Sequence, residues 1–181
     1  MAVLAGAGGF WPSAAAAAMP AAAGSGSQAA EGATAMQPFT SHDGRFSVLL
    51  PGIPEQETDP INLPGGATAD LNQFWVVLDD DHVTYMVMYN DYRPEDVKDG
   101  PEKVLERARA GAGKDRTLVS ESATSLDGVP GQALTLKGRD GWLYTVRQYL
   151  KGTRLYQLVV VSDQAHPAKL AEEFLGSFKM F

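Results

Sequence analysis

From Phe39 to the C-terminus, apolar residues occur in short alternating or continuous runs that are separated by turn sequences. Runs of this length predict β-strands, and the Asp-Gly and Gly-Thr pairs between them predict tight turns. The predicted strands span residues 45–50, 69–78, 82–89, 117–122, 131–137, 142–150 and 154–161. Four prolines between residues 51 and 64 predict an irregular loop, because proline donates no backbone hydrogen bond to a sheet.

Two segments have a helical pattern instead. Pro101 follows Asp99-Gly100 and opens an apolar stripe at helical spacing, which ends at Gly111-Ala112-Gly113. Proline is favoured in a first helical turn and glycine just after a last one, so a helix is predicted between them. A second helix is predicted over residues 168–175.

Two predicted strands contain a run that is apolar at every position, Phe74–Leu78 and Leu158–Val161. A strand without polar alternates is covered on both faces of its sheet. We therefore predict an α+β fold in which an antiparallel sheet is sandwiched by helices, with Leu158–Val161 in a central strand.

Residues 1–37 differ from the rest of the chain, because they are mostly Ala, Gly and Ser and carry one charge, Glu31. A small-residue apolar run followed by a polar segment is typical of a signal peptide, although the usual basic start is missing. The sequence predicts a leader over 1–37, cleaved near Gly24 or Ala30, and one globular domain over 38–181. The predicted location is periplasmic or secreted, with membrane proximity through the leader. An uncleaved anchor and a disordered tail on a cytoplasmic protein are the alternatives.

The formal net charge is −7, and the chain contains no cysteine. A negative surface is repelled by phosphate backbones, so nucleic acid is not expected as a partner. Without cysteine there is no disulfide, no thiol catalysis, no cysteine-bound zinc and no lipid-modified cysteine.

Few motifs suggest chemistry. Gly111-Ala112-Gly113-Lys114 is similar to the end of a phosphate-binding loop, but Ala108 and Asp115 occupy positions where that loop needs Gly and Ser or Thr. A helix stop explains the segment better. Asp79-Asp80-Asp81 is the densest acidic cluster, and a solvated hairpin turn is favoured over a weak cation site because consecutive turn residues point in different directions.

The three histidines are His42, His82 and His166. None has the spacing of a catalytic or zinc motif, so turn and capping roles are predicted. We assign no catalytic, cofactor-binding or metal-binding residue, and we predict that the protein is not an enzyme.

Charge is distributed unevenly along the domain. Residues 79–102 contain eight acids and two bases, whereas residues 137–154 contain five bases and one acid. In the predicted strands, Arg147 and Tyr149 share a face, and Arg154 and Tyr156 lie across from them. Such a cationic and aromatic patch would suit a protein or a small anionic ligand. The alternative is that the tyrosines are buried and the arginines pair with the acidic segment.

The order of elements resembles the PsbP-like superfamily, the fold of the extrinsic photosystem II subunit P. The resemblance rests on short segments across nearly all of residues 39–181. They are Gly44-Arg45-Phe46-Ser47-Val48 with Pro51, the Gly100-Pro101-Glu102 helix start, Arg147 with Gly152-Thr153-Arg154-Leu155-Tyr156, and Phe174 with Ser177-Phe178. The resemblance implies a fold and transfers no functional residue.

Members of that superfamily are mostly binding or assembly proteins without a shared catalytic site. The resemblance therefore implies an exported, non-enzymatic binding or assembly module. One alternative is a chaperone-like protein that shelters hydrophobic segments in a groove lined by Phe74, Trp75, Met86 or Met88. The other is an enzyme whose site the sequence does not reveal.

Overall fold

A computed structural model of the protein describes residues 35–63, 68–78 and 82–181. Most of the predicted leader and the Asp79–Asp81 turn lie outside these residues. The strands are β1 Gln37–Ser41, β2 Phe46–Leu50, β3 Glu55–Asn62, β4 Thr68–Leu78, β5 Val83–Asp91, β6 Arg116–Leu126, β7 Val129–Gly138, β8 Leu143–Lys151, β9 Arg154–Ser162 and β10 Lys179–Met180. The helices are α1 Pro94–Val97, α2 Pro101–Ala112 and α3 Ala171–Ser177.

The strands form a seven-stranded antiparallel sheet in the order β3-β4-β5-β9-β8-β7-β6 and a three-stranded sheet in the order β1-β2-β10. β9 is the middle strand of the large sheet, and all four side chains from Leu158 to Val161 are buried. This confirms the prediction that a strand apolar on both faces is central.

One face of the large sheet packs against the small sheet and α3. Their shared core is aromatic: the Phe46 ring of β2 lies 5.7 Å from Phe74, 6.3 Å from Tyr156 and 5.5 Å from Phe178, measured between ring centroids. These tilted and edge-on contacts are the favoured geometries for aromatic pairs, so they stabilise the packing of the two sheets.

The other face of the large sheet is covered in part by α2. Val104 and Leu105 of this helix pack with Leu150 and Leu155 of the sheet. As predicted, α2 begins at Pro101 and ends before Gly113, whose backbone N–H donates to the Arg109 carbonyl. The Gly111–Gly113 segment is therefore a helix end.

The predicted fold class needs a correction, because the molecule contains more sheet than a sheet sandwiched by helices. On one face the covering layer is mainly a second sheet. The segment predicted as a proline-rich loop contains β3, which tolerates Pro60 because β3 is an edge strand. No helix in the described residues is both long and apolar enough to cross a membrane.

Candidate functional site

The predicted cationic and aromatic patch lies on the face of the large sheet that meets the small sheet. Tyr149 of β8 pairs directly with Tyr156 of β9, as the sequence predicted, but both side chains are buried. The Tyr156 hydroxyl donates to the Gly44 carbonyl at 2.8 Å, and burial raises the pKa of this tyrosine. The two rings are therefore part of the core between the sheets.

The Arg154 side chain contacts three residues of other segments. Its Nε and Nη2 donate to the two carboxylate oxygens of Asp91 at 2.8 and 2.6 Å, and its Nη1 donates to the Asp43 carbonyl at 2.6 Å. The guanidinium also lies over the Tyr89 ring, 4.6 Å from its centroid. The hydrogen bond and charge of Asp91 raise the pKa of Arg154. This arrangement ties β9 to β5 and to the turn between β1 and β2.

Arg147 has a looser environment. Its Nη2 lies 3.3 Å from the Glu172 carboxylate of α3, and the Glu172 side chain is 85% exposed. A pair this exposed contributes little to stability. The partner-binding role of Arg147, Tyr149, Arg154 and Tyr156 stays a prediction, and the structure gives each of them a neighbour within the chain.

The four side chains named for the chaperone-like alternative do not lie together on one face of the large sheet. Met86 and Met88 are buried on the face near α2, whereas Phe74 is buried on the opposite face. Trp75 is partly buried beside the methionine cluster. Phe74, Met86 and Met88 are therefore core residues, and Trp75 packs against the core.

Two of the three histidines meet at the opposite end of β9 from Arg154. His82 precedes β5, Asp163 follows β9, and His166 lies in the loop before α3. His82 Nδ1 lies 2.6 Å from Asp163 Oδ2, and His166 Nδ1 lies 3.0 Å from both carboxylate oxygens. We call His82, Asp163 and His166 the HDH cluster.

The two imidazole rings of the HDH cluster stack. Their centroids are 4.0 Å apart with an angle of 20° between the planes, and the Trp142 ring lies nearly parallel to His82 at 6.1 Å. The side chains of His82 and His166 are each 41% exposed, so one side of the cluster is open to solvent.

The protein backbone fixes the carboxylate of the HDH cluster. The backbone N–H groups of Ala165 and His166 donate to Asp163 Oδ1 at 2.8 and 2.7 Å. Burial opposes ionisation of this carboxyl, but the hydrogen bonds from His166, Ala165 and His82 outweigh it and lower the pKa of Asp163 to about 2. Because an ionised carboxylate only accepts hydrogen bonds, each facing Nδ1 carries a proton.

The sequence analysis missed this convergence, although the strand pairing contains a signal for it. Val83 of β5 is paired with Ser162 of β9, so the next positions outward, His82 and Asp163, lie opposite each other. His166 follows Asp163 by three residues in the same loop. Local motif spacing cannot reveal a site whose members come from strands that are distant in sequence.

A different candidate site is the β6 edge of the large sheet. All residues from Thr117 to Ala123 are exposed, including Leu118 at 40% and Val119 at 59%. Within the described residues, β6 pairs on one side only, with β7. Its register shifts between Leu118 and Ser120, which marks a β-bulge.

The opposite edge strand, β3, has another character. Glu55, Glu57, Asp59 and Pro60 lie along its eight residues. Charge and proline on an edge strand oppose pairing with another chain. β6 lacks proline, and its acidic residue Glu121 is paired with Arg109 of α2 at 2.7 Å.

Comparison with solved structures identifies the fold. The solution structure of cyanobacterial PsbP from Synechocystis sp. PCC 6803 superimposes with a TM-score of 0.50 and 12% sequence identity, covering 86% of this chain and 98% of that one. The fold is PsbP-like. This confirms the resemblance seen in the sequence, and at this identity it establishes the fold alone.

Two further solved structures are similar at a lower level. A Pseudomonas aeruginosa protein of unknown function aligns over 72% of this chain and 84% of its own, with 14% identity and a TM-score of 0.40. A Bacteroides thetaiotaomicron protein aligns over 81% of this chain and 48% of its own, with 14% identity and a TM-score of 0.41. No family model and no curated protein sequence matches the chain.

Proposed function

We propose that the protein is an exported, non-enzymatic binding or assembly module that pairs an extended segment of a protein partner with strand β6. The observation that carries this proposal is the run of exposed residues from Thr117 to Ala123 along an edge of the large sheet. An edge strand presents a row of backbone donors and acceptors that can pair with an added strand.

The side chains of β6 favour a protein segment over an anionic ligand. Four of the seven residues from Thr117 to Ala123 are threonine, serine or alanine, and the sole charge among them, Glu121, already has an ion-pair partner. The exposed pair Leu118 and Val119 supplies apolar contact area at the bulge. Main-chain hydrogen bonds would supply the affinity and these side chains the specificity.

Export is the second part of the proposal. It is supported by the composition of residues 1–37, in which a small-residue apolar run is followed by a polar segment, as in a signal peptide. N-terminal sequencing of the protein from its native cell tests it. A mature N-terminus near Gly24 or Ala30 is expected, and an intact Met1 in the cytoplasmic fraction contradicts export.

The binding test compares the two edges of the sheet. Val119→Lys and Ser122→Lys place a positive charge on β6, and Gln56→Lys makes the same kind of change at an exposed position of β3. Partners captured by the wild-type chain should be lost with the two β6 variants and retained with the β3 variant. Equal capture by all three variants contradicts a β6 docking edge, while circular dichroism checks that each variant is folded.

A further inference from the structure

The HDH cluster brings together side chains that can bind a metal ion as well as each other. Two imidazole nitrogens and one carboxylate, brought together from two segments that are distant in sequence, lie within 4.8 Å of one another. Imidazole and carboxylate are the ligands that divalent ions of the later first-row transition metals take in proteins. Calcium and magnesium prefer sites made of oxygen alone.

The separation between each histidine nitrogen and the carboxylate is close to that between adjacent ligands of an octahedral ion. Ligands at right angles and about 2.1 Å from an ion lie about 3.0 Å apart, against about 3.4 Å in a tetrahedral site. The observed separations between the histidine nitrogens and the carboxylate oxygens are 2.6 and 3.0 Å. For both Nδ1 lone pairs to converge on one ion, the two stacked rings, whose centroids are 4.0 Å apart, would have to turn away from each other.

Backbone groups also orient the carboxylate of the cluster. The backbone N–H groups of Ala165 and His166 hold the Asp163 carboxylate whether or not the imidazoles donate to it. Outer contacts that orient a carboxylate are characteristic of built metal sites. Because both histidine side chains are 41% exposed, the positions not filled by protein would face solvent.

We infer that His82, Asp163 and His166 bind one divalent transition-metal ion, through both Nδ1 atoms and the carboxylate, with the remaining coordination positions open to water or to a donor from a partner. Coordination uses the lone pair of each Nδ1. A proton on Nδ1 therefore has to leave that nitrogen, and in the bound ring Nε2 carries the N–H. This site is separate from β6 and does not depend on the function proposed above.

The test is a calorimetric titration of the full, untagged and chelator-treated chain with Zn²⁺ and, separately, with Ni²⁺. One equivalent of either ion should bind, and Mg²⁺ should give no signal. His82→Ala and His166→Ala should each weaken binding by at least about tenfold. His42→Ala is the matched control, because His42 is an exposed turn histidine outside the cluster, and it should bind as the wild type does.

Two further measurements keep the test decisive if a histidine variant folds poorly. Asp163→Asn retains an oxygen that can accept the Ala165 and His166 backbone hydrogen bonds, yet removes the charge, and it should also weaken binding. In the wild type, ¹⁵N spectra of the imidazoles should show His82 and His166 changing from Nδ1–H to Nε2–H on addition of Zn²⁺. Unchanged ring signals in excess Zn²⁺, or wild-type affinity in both His82→Ala and His166→Ala, would overturn the site.

Discussion

The two ends of strand β9 carry charged clusters of opposite kinds. At the start of the strand, Arg154 donates to Asp91 and to the Asp43 carbonyl and lies over the Tyr89 ring. At the far end, Asp163 accepts from two histidines whose side chains are each 41% exposed. The first cluster is closed by contacts within the chain, whereas the second includes two partly exposed histidine side chains.

This difference separates a structural cluster from a candidate site. Charge and aromatic residues on one strand face look alike in a sequence whether they bind a partner or connect two layers of the core. The distinction depends on whether each polar group already has a good partner, because a donor with such a partner gains little from a ligand. The facing groups of the HDH cluster also have partners, but its two histidine side chains are each 41% exposed, against 19% for Arg154. The greater exposure makes the HDH cluster the better candidate.

The largest expected effect comes from a substitution in the middle of β9, the strand whose two ends carry the clusters. Val160 is 2% exposed in the middle strand of the large sheet. Val160→Asp buries an unpaired charge and should lower the free energy of unfolding by about 3–5 kcal/mol. Urea denaturation measures it, with Val119→Asp on exposed β6 as the control. A Val160→Asp variant as stable as this control would show that β9 is not central.

The next effect distinguishes the two arginines of the predicted patch. Arg154→Ala leaves the Asp91 carboxylate without its two-point partner and should cost about 2 kcal/mol, because Arg154 is itself only 19% exposed. Arg147→Ala should cost less than about 1 kcal/mol, since its partner Glu172 is 85% exposed. Thermal denaturation of the two variants and the wild type compares these two losses of stability.

The opposite ranking would contradict the assignment of Arg154 as a structural connector. If Arg154→Ala instead keeps the wild-type melting temperature and loses partner binding, the predicted role of the patch as a contact surface is favoured. Arg147→Ala serves as the matched change, because it removes the same charge from the same sheet face.

Much of the fold was predictable, because it depends on local patterns. The continuous run Leu158–Val161 indicated a middle strand, and Pro101 with Gly113 bounded α2. The strand β3 was not predictable from prolines alone, since Pro60 is tolerated where no neighbour needs its backbone donor. Strand β2 was predicted, but its partners β1 and β10, which are five and two residues long, were not, so the second sheet was missed.

The candidate sites were predictable only in part. The sequence placed Tyr149 and Tyr156 across from each other correctly, but burial depends on the small sheet that covers them. The HDH cluster required knowledge that β5 pairs with β9, which are about seventy residues apart in the chain. Non-local pairing of this kind leaves little trace in the spacing of residues.

The smallest expected effect concerns the histidines at the far end of β9, and it tests whether they contribute to the stability of the fold. In the metal-free protein, His82→Ala and His166→Ala each remove one hydrogen bond and one side of an exposed ring stack. Partly exposed contacts of this kind contribute little, so each change should shift the free energy of unfolding by about 1 kcal/mol or less. Denaturation in the presence of a chelator measures it, with His42→Ala as the reference. A loss as large as that of Arg154→Ala would show that the histidines hold the α3 loop in place, and the two ends of β9 would then both be structural.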